Sequence, residues 1–224
     1  MWTEVILFIL EVVGTISFAV SGAFVAIKAK FDVFGVLVIG CITAVGGGIM
    51  RDILIGNFPP MIFSRVYLIL IACASAMLVF LISYNQRKKF DGFRGKIEQI
   101  NNVFDAIGLA AFTVMSTELT FTYGFSDNVF LSLVLGILPA VGGGLLRDIL
   151  TETPPYIFTK HIYAVAALVG STLYYTIRLL TNNTIFPGAF AFFFIIAVRM
   201  LATKYRWKLP KVHLEEAEQS NDRK

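Results

Sequence analysis

Charged side chains are scarce in this sequence. Asp, Glu, Lys and Arg together account for 15% of its 224 residues, whereas hydrophobic residues account for 57%. A soluble domain of this length needs more charge to cover its surface, so the composition argues against a soluble protein. The mean hydropathy of +0.75 and the long apolar runs indicate an integral membrane protein instead.

Cysteine and histidine are also rare, with two of each. The sequence contains no nucleophile–base motif, metal-ligand cluster or phosphate-binding loop, so we expect neither an enzyme nor a bound cofactor. Cys41 and Cys73 lie inside predicted spans, where we expect small packing residues without a disulfide. No basic and aromatic surface lies outside the apolar blocks, which argues against nucleic-acid binding.

Seven apolar stretches are long enough to cross a bilayer as helices, which predicts an all-α polytopic membrane protein. They lie at Val5–Ile27, Val33–Ile55, Ser64–Tyr84, Val103–Tyr123, Val129–Leu150, Ile162–Leu180 and Pro187–Thr203. The first is too long for a cleavable signal peptide and lacks a basic flank, so we expect it to remain. Glu118, in the fourth, is expected near the outer interface without a functional role.

Lysine and arginine are distributed unevenly between the two predicted faces. One face holds only Arg65 and Arg178, at the ends of spans, and the other face holds the remaining loop and tail residues, including the Arg87–Lys89 cluster. The positive-inside rule then places the N-terminus outside and the C-terminus in the cytoplasm, in the cell (inner) membrane. The basic inner loops are expected to contact anionic lipids. Three further arginines, Arg51, Arg147 and Arg199, fall within spans.

The chain contains an internal duplication. Ala44–Leu54 (AVGGGIMRDIL) matches Ala140–Leu150 (AVGGGLLRDIL), and a Pro-Pro pair and Ile-Phe follow each segment. Upstream, Glu11-x-x-Gly-x-x-x-Phe18 matches Asp105-x-x-Gly-x-x-x-Phe112. The predicted divisions are a first three-helix repeat at 1–84, a basic cytoplasmic loop at 85–100, a second three-helix repeat at 101–180, a seventh helix at 181–208 and a polar cytoplasmic tail at 209–224.

Each repeat has three spans, and three is odd, so the second repeat is predicted to enter the membrane from the opposite side. The fold is then an inverted repeat with a seventh helix added. In this arrangement the two glycine triplets face each other near the midplane, and the two Arg-Asp pairs point to opposite surfaces. Asp32 and Asp127, at the starts of the middle helices, are expected to cap the free N–H groups there.

Three consecutive glycines occur in each middle helix, at Gly46–Gly48 and Gly142–Gly144. We expect them to kink or unwind both helices, because each glycine costs about 1 kcal/mol relative to alanine. Pro139 adds to this effect in the second repeat, and Thr43 holds the matching place in the first. Broken backbone at this depth would line a wet cavity and could coordinate a dehydrated cation. The alternative is that the glycines only allow close helix packing.

Buried charge is the second feature that both repeats share. The residues are Arg51, Asp52, Arg147 and Asp148. An ionised side chain inside a bilayer costs at least about 2.5 kcal/mol, so it faces a partner or water. Neighbouring residues lie about 100° apart on a helix, so we expect partners on other helices, with Glu11 and Asp105 as candidates. These charges either line and gate a permeation path or form structural ion pairs.

The two Gly-Gly-Gly-x-x-Arg-Asp motifs, at Gly46–Asp52 and Gly142–Asp148 of a seven-span chain, resemble those of the prokaryotic relatives of the trimeric intracellular cation (TRIC) channels. The resemblance covers roughly Glu11 to Thr203, and the same family carries a glycine-transporter label. It implies a homotrimer with one pore per protomer, between the glycine-kinked second and fifth helices. It also implies that monovalent cations, chiefly potassium, permeate past the Arg-Asp pairs. The Lys-Glu pair that animal members carry near the second break is absent.

Three functions therefore stay open. The first is a potassium-permeable channel, and the second is a secondary transporter for glycine or a similar small amino acid. In the second, facing half-helix ends would hold the carboxylate and the ammonium. The third is a membrane scaffold without transport, against which the two matching sets of buried charges argue.

Overall fold

The computed structural model describes residues 2–85, 94–159 and 162–207. Within these ranges the chain forms eight α-helices and one short 3-10 helix, with no strand. They are α1 (Trp2–Lys28), α2 (Val33–Leu54), the 3-10 helix (Met61–Phe63), α3 (Val66–Asn85), α4 (Arg94–Thr122), α5 (Val129–Leu150), α6 (Tyr156–Thr159), α7 (Tyr163–Thr181) and α8 (Ile185–Lys204). The Arg87–Lys89 cluster and the predicted tail lie outside the described residues.

Seven of these helices are long and apolar enough to cross a membrane, as the sequence predicts. The largest difference in bounds is at α4, which begins at Arg94 rather than at Val103. The added residues are mostly polar and extend the helix by about two turns. An apolar window cannot detect such an extension, because helix formation does not require apolar side chains.

Four helices, α1, α2, α4 and α5, form the centre of the molecule. α1 packs on α4 and α2 packs on α5, so these large interfaces join matching helices of the two repeats. α3 covers α1 and α2, α7 covers α4 and α5, and α8 packs on α4 and α7. Within its apolar window α4 is 83% buried. The polar side chains from Asn101 to Thr120 therefore lie inside the protein rather than against lipid.

The α1–α4 interface uses the Gly-x-x-x-Phe motif that both repeats contain. Phe18 and Phe112 stack with their ring centroids 5.3 Å apart. A β-carbon on Gly14 would lie 2.9 Å from the Phe112 ring, and one on Gly108 would collide with the Phe18 ring. The order of these contacts is reversed along the two helices, so α1 and α4 run in opposite chain directions. The insertion of the two repeats from opposite sides of a bilayer stays a prediction.

The middle helices α2 and α5 begin with side-chain caps. Asp32 accepts a hydrogen bond from the Gly35 N–H at 2.8 Å, as predicted. At the start of α5, Asn128 accepts from the Leu131 N–H at 3.0 Å. The prediction for Asp127 was wrong by one residue, because the cap position directly precedes the first helical residue, Val129.

Candidate functional site

Both glycine triplets lie within uninterrupted α-helix. The helical backbone runs through Gly46–Gly48 and Gly142–Gly144, and Pro139 lies inside α5 without ending it. The prediction that the triplets unwind their helices was therefore wrong. α2 and α5 pack directly against each other, and tertiary packing outweighs the low helix propensity of glycine.

The middle glycine of each triplet receives the backbone of the other helix. A β-carbon on Gly47 would collide with the carbonyl oxygen of Pro139, and one on Gly143 would collide with the carbonyl oxygen of Thr43. Thr43 and Pro139 hold matching places in the two repeats, so the two contacts are equivalent. Their order is reversed along the chain, so α2 and α5 also run in opposite directions. Only glycine permits this backbone-to-backbone approach.

The first glycine of each triplet makes room for a long side chain of the opposite helix. A β-carbon on Gly46 would lie 2.7 Å from Cδ1 of Leu146. On the other helix, a β-carbon on Gly142 would collide with Sδ of Met50. These two positions therefore serve helix packing.

The third glycine lies beside the arginine of its own motif. The β-carbon position of Gly48 is 3.9 Å from Nη2 of Arg51, and that of Gly144 is 3.5 Å from Nη2 of Arg147. Gly144 also faces the hydroxyl of Tyr163 at 3.1 Å. The absence of side chains here lets polar groups approach the helix backbone, so the third glycines shape the surroundings of the buried charge.

Each arginine binds the aspartate that follows it. Arg51 Nε donates to Asp52 Oδ1 at 2.9 Å, and Arg147 Nε donates to Asp148 Oδ1 at 2.8 Å. We expected partners on other helices, so this pairing of neighbours was not predicted. The arginine side chain is long and flexible enough to turn back across the angle between adjacent helix positions.

The second oxygen of each aspartate holds the chain after the Pro-Pro pair. The Met61 N–H donates to Asp52 Oδ2 at 2.7 Å, and the Tyr156 N–H donates to Asp148 Oδ2 at 2.7 Å. Met61 begins the 3-10 helix and Tyr156 begins α6. Each aspartate therefore joins its arginine to the next turn, which explains why Arg-Asp and Pro-Pro recur at similar spacing.

At the second-repeat end, five buried polar residues from four helices form what we call the Arg147 cluster. Its members are Ser21, Asp105, Arg147, Asp148 and Arg199. Arg147 Nη1 donates to Ser21 Oγ at 2.6 Å and to Asp105 Oδ1 at 2.8 Å. Arg199 Nη2 lies 3.6 Å from Asp105 Oδ2. The side chains of Arg147 and Asp105 are completely buried, so this end is closed.

The first-repeat end has the matching arginine but a different set of partners. Arg51 Nη1 lies 3.6 Å from Sδ of Met115, which holds the place that matches Ser21. Glu11, the counterpart of Asp105, pairs with Arg65 rather than with Arg51. Arg65 is 38% exposed, so this ion pair lies at the edge of the protein.

A pocket opens at this first-repeat end, and we call it the Glu11 pocket. It has an empty volume of about 310 Å³, which includes space open to the outside. Its lining consists of Glu11, Thr15, Ala44, Val45, Gly48, Arg51, Asp52, Ile62, Leu68 and Phe112. The pocket reaches the third glycine of the first triplet, whereas Gly144 is buried beside Arg147. The two ends of the α2–α5 crossing are therefore unequal.

A second buried carboxylate cluster surrounds Glu118, which is 2% exposed. Its carboxylate accepts from the Tyr174 hydroxyl at 2.6 Å, from Arg178 Nε at 3.2 Å and from the Thr184 hydroxyl at 3.4 Å. The sequence prediction gave Glu118 no role. Arg178 was placed at the same predicted face, and this shared position was the available signal for the pair.

Tyr156 lies beside Arg147 but outside the spans. Its ring centre is 4.7 Å from the Arg147 guanidinium, and Asn101 Nδ2 donates to its hydroxyl at 3.2 Å. Burial raises the pKa of the Tyr156 hydroxyl, although the positive charge of Arg147 acts in the opposite direction. The hydroxyl therefore stays neutral and adds no charge to the Arg147 cluster.

The two cysteines are free thiols that touch each other. Cys41 Sγ on α2 and Cys73 Sγ on α3 lie 3.2 Å apart. Among the described residues, no group of three or more His, Cys, Asp or Glu side chains could hold a metal ion.

Comparison with known proteins relates the chain to one family of membrane proteins. A family model described as "Glycine transporter" matches it twice, at residues 8–84 and 102–178, which supports the duplication. The UPF0126 membrane protein YvgT of Bacillus subtilis (strain 168) is 34% identical over 203 residues, which cover 90% of this chain and 94% of the relative.

Two solved structures are similar over almost the whole chain. One, reported as the structural basis for conductance through TRIC cation channels, is 33% identical, with a TM-score of 0.78 and coverage of 93% of this chain and 98% of that one. The other, a prokaryotic TRIC channel crystallised in 0.5 M KCl, is 31% identical, with a TM-score of 0.80 and coverage of 92% and 100%. The chain is therefore a membrane protein of the prokaryotic TRIC family, which includes the UPF0126 proteins.

Proposed function

We propose that this protein is a potassium-permeable cation channel that assembles as a homotrimer with one pore in each protomer. The observation that carries the proposal is the likeness of the whole chain to two structures described as TRIC channels. The pore would follow the crossing of α2 and α5, where small residues and buried charges occur together.

The Glu11 pocket would be the entrance at the first-repeat end. Its carboxylates, Glu11 and Asp52, favour cations, and Arg65 and Arg51 keep the local charge balanced. The pocket stops beside the third glycine of α2. The carboxylates of the pocket would therefore draw a cation towards the level of the glycine crossing.

The Arg147 cluster would be the barrier at the other end. The Arg147 guanidinium would have to move aside before a cation could pass. Asp105 and Asp148 would then face the path and attract the cation. Separating one member of a buried ion pair costs about 3–5 kcal/mol, so we expect the channel to be closed most of the time.

Recording from planar bilayers tests this function. The purified protein should give brief unitary currents that reverse towards the potassium equilibrium potential when potassium and sodium occupy opposite sides. Well-folded trimers that stay silent across the voltage range would overturn the proposal.

Transport of glycine or a similar small amino acid is the second candidate. The description of the matching family model favours it, and the Glu11 pocket offers an arginine for a carboxylate and a carboxylate for an ammonium. Proteoliposomes should then show saturable uptake of labelled glycine that unlabelled glycine inhibits. Uptake no greater than that of empty vesicles would remove this candidate.

We further propose an external N-terminus and a cytoplasmic C-terminus in the cell (inner) membrane. The excess of basic residues on one predicted face supports this orientation. An impermeant thiol reagent should label a cysteine placed at position 3 in intact cells, and should not label one placed at position 206.

A further inference from the structure

We infer that Arg199 is a positioning residue that becomes the ion-pair partner of Asp105 when Arg147 moves aside. The inference rests on the proposed channel function, in which movement of Arg147 opens the path. α8, which carries Arg199, is the one predicted span outside the duplication, so the first repeat has no counterpart of this residue.

Asp105 presents its two carboxylate oxygens to two different arginines. Oδ1 accepts a hydrogen bond from Arg147 Nη1 at 2.8 Å. Oδ2 lies 3.6 Å from Arg199 Nη2 and accepts no hydrogen bond from the described residues. At 3.6 Å an amino group and a carboxylate attract each other without a hydrogen bond. Asp105 therefore has one occupied oxygen and one that faces a second cation.

Arg199 is held where it can make that second contact. Its side chain is 1% exposed, and its guanidinium lies 4.5 Å from the centre of the Tyr163 ring. A cation over an aromatic face is stabilised without losing its charge. A shift of under one ångström towards Asp105 Oδ2 would convert the present contact into a charge-assisted hydrogen bond.

The charges of the Arg147 cluster determine whether Arg199 raises or lowers the barrier to opening. Two arginines and two aspartates balance in the closed arrangement. If Arg147 left and Arg199 were absent, Asp105 would be an unpaired buried carboxylate, which is strongly unfavourable. With Arg199 present, Asp105 keeps a partner throughout. Arg199 also repels Arg147 and shares its counter-ion, so it lowers the barrier to opening.

Single-channel recording of full-length trimers tests the inference. Arg199→Met keeps an unbranched, flexible side chain and removes the charge, and it should reduce the open probability by about tenfold or more with an unchanged unitary conductance. Arg199→Lys keeps the charge and should restore much of the activity. A role in stability alone would reduce the amount of folded protein and leave the open probability of each recorded channel unchanged.

A double-mutant cycle makes the test specific for Asp105. In an Asp105→Asn background no carboxylate can be left unpaired, so Arg199→Met should not reduce the open probability further. The double variant lacks both charges and so buries no unpaired charge, which makes it a control for misfolding of the Arg199→Met variant. If Arg199→Met reduced the open probability equally in the wild-type and Asp105→Asn backgrounds, or not at all in the wild-type background, the inference would be overturned. The channel function would still stand. A silent wild-type protein would overturn the channel function and this inference with it.

Discussion

Ser21 and Met115 occupy matching places in the two repeats, and each contacts the arginine of the other repeat. Ser21 Oγ lies 2.6 Å from Arg147 Nη1, whereas Met115 Sδ lies 3.6 Å from Arg51 Nη1. A hydroxyl oxygen is a better hydrogen-bond acceptor than a thioether sulfur, so Arg147 is held more firmly than Arg51. This single difference in residue type contributes to the contrast between the closed end and the open one.

Removal of the Ser21 hydroxyl should therefore loosen Arg147. Because a hydrogen bond to a charged group contributes about 1.5–3 kcal/mol, Ser21→Ala should lower the thermal stability of the protein and, in the proposed channel, raise the open probability. Met115→Leu is the matched control at the other end, and it should change neither quantity substantially. Equal changes in stability and open probability for the two substitutions would contradict the conclusion that Arg147 is bound more firmly than Arg51.

The middle glycines should tolerate no side chain. Gly47→Ala and Gly143→Ala each place a methyl group against a backbone oxygen of the opposite helix, and overpacking of this kind costs about 1–3 kcal/mol or more. Gly48→Ala is the control, because its β-carbon would meet only Arg51 Nη2 at 3.9 Å. Thermal unfolding in detergent, followed by fluorescence-detected size exclusion, measures the difference. Similar melting temperatures for all three variants would disprove the close backbone contact.

The aspartate of the motif should stabilise the fold through two hydrogen bonds, one from each carboxylate oxygen. Asp52→Ala removes the partner of Arg51 and the acceptor for the Met61 N–H, so we expect a loss of about 3–5 kcal/mol in stability. Asp52→Asn keeps an oxygen for Met61 but turns an amide towards Arg51, so its loss should be smaller. Urea titration of the purified protein in mild detergent compares the two variants. If asparagine is as harmful as alanine, the contact with Met61 contributes nothing.

The Glu118 cluster should support the fold without affecting conduction. Glu118→Ala leaves Tyr174 and Arg178 without their shared acceptor, so stability should fall by about 1–3 kcal/mol. Thr184→Ala should have a smaller effect, because its hydroxyl is 3.4 Å from the carboxylate. Unitary conductance should be unchanged in both variants, since Glu118 does not line the Glu11 pocket. A changed conductance would place Glu118 on the permeation path.

The two cysteines provide a direct test of how α2 packs on α3. Since Cys41 Sγ and Cys73 Sγ are 3.2 Å apart, a membrane-permeant oxidant should join them in a disulfide, with the loss of two hydrogen atoms. Intact-protein mass spectrometry before and after reduction detects the change. Cys41→Ser should abolish it, and a wild-type mass that stays constant under oxidation would contradict the contact.

The spans and the duplication could be predicted because both depend on local sequence. Apolar runs are visible in the chain itself, and so is the repeated Gly-Gly-Gly-x-x-Arg-Asp motif. The role of the triplets could not be predicted, because it depends on the opposite helix. The residues around Gly47 in the sequence do not indicate that the carbonyl oxygen of Pro139 lies against it. The sequence therefore predicted breaks in α2 and α5 at the positions where the two helices pack most closely.

The partners of the buried charges were predicted only in part. Asp105 was a candidate partner of Arg147, and the structure joins them, but Glu11 binds Arg65. Arg199 was recognised as a charge within a span, yet its contact with Asp105 depends on how α8 packs against α4. Contacts of this kind follow from tertiary packing, which periodicity and composition do not encode.

The reciprocal fit of Gly47 with Pro139 and of Gly143 with Thr43 makes the two units depend on each other. Each unit supplies one glycine and one carbonyl oxygen, so neither unit can complete the interface by itself. A single unit could complete this interface only by pairing with a second copy that runs in the opposite direction. Because one chain carries both units, the two units can differ in sequence, and here Ser21 and Met115 make the two ends unequal.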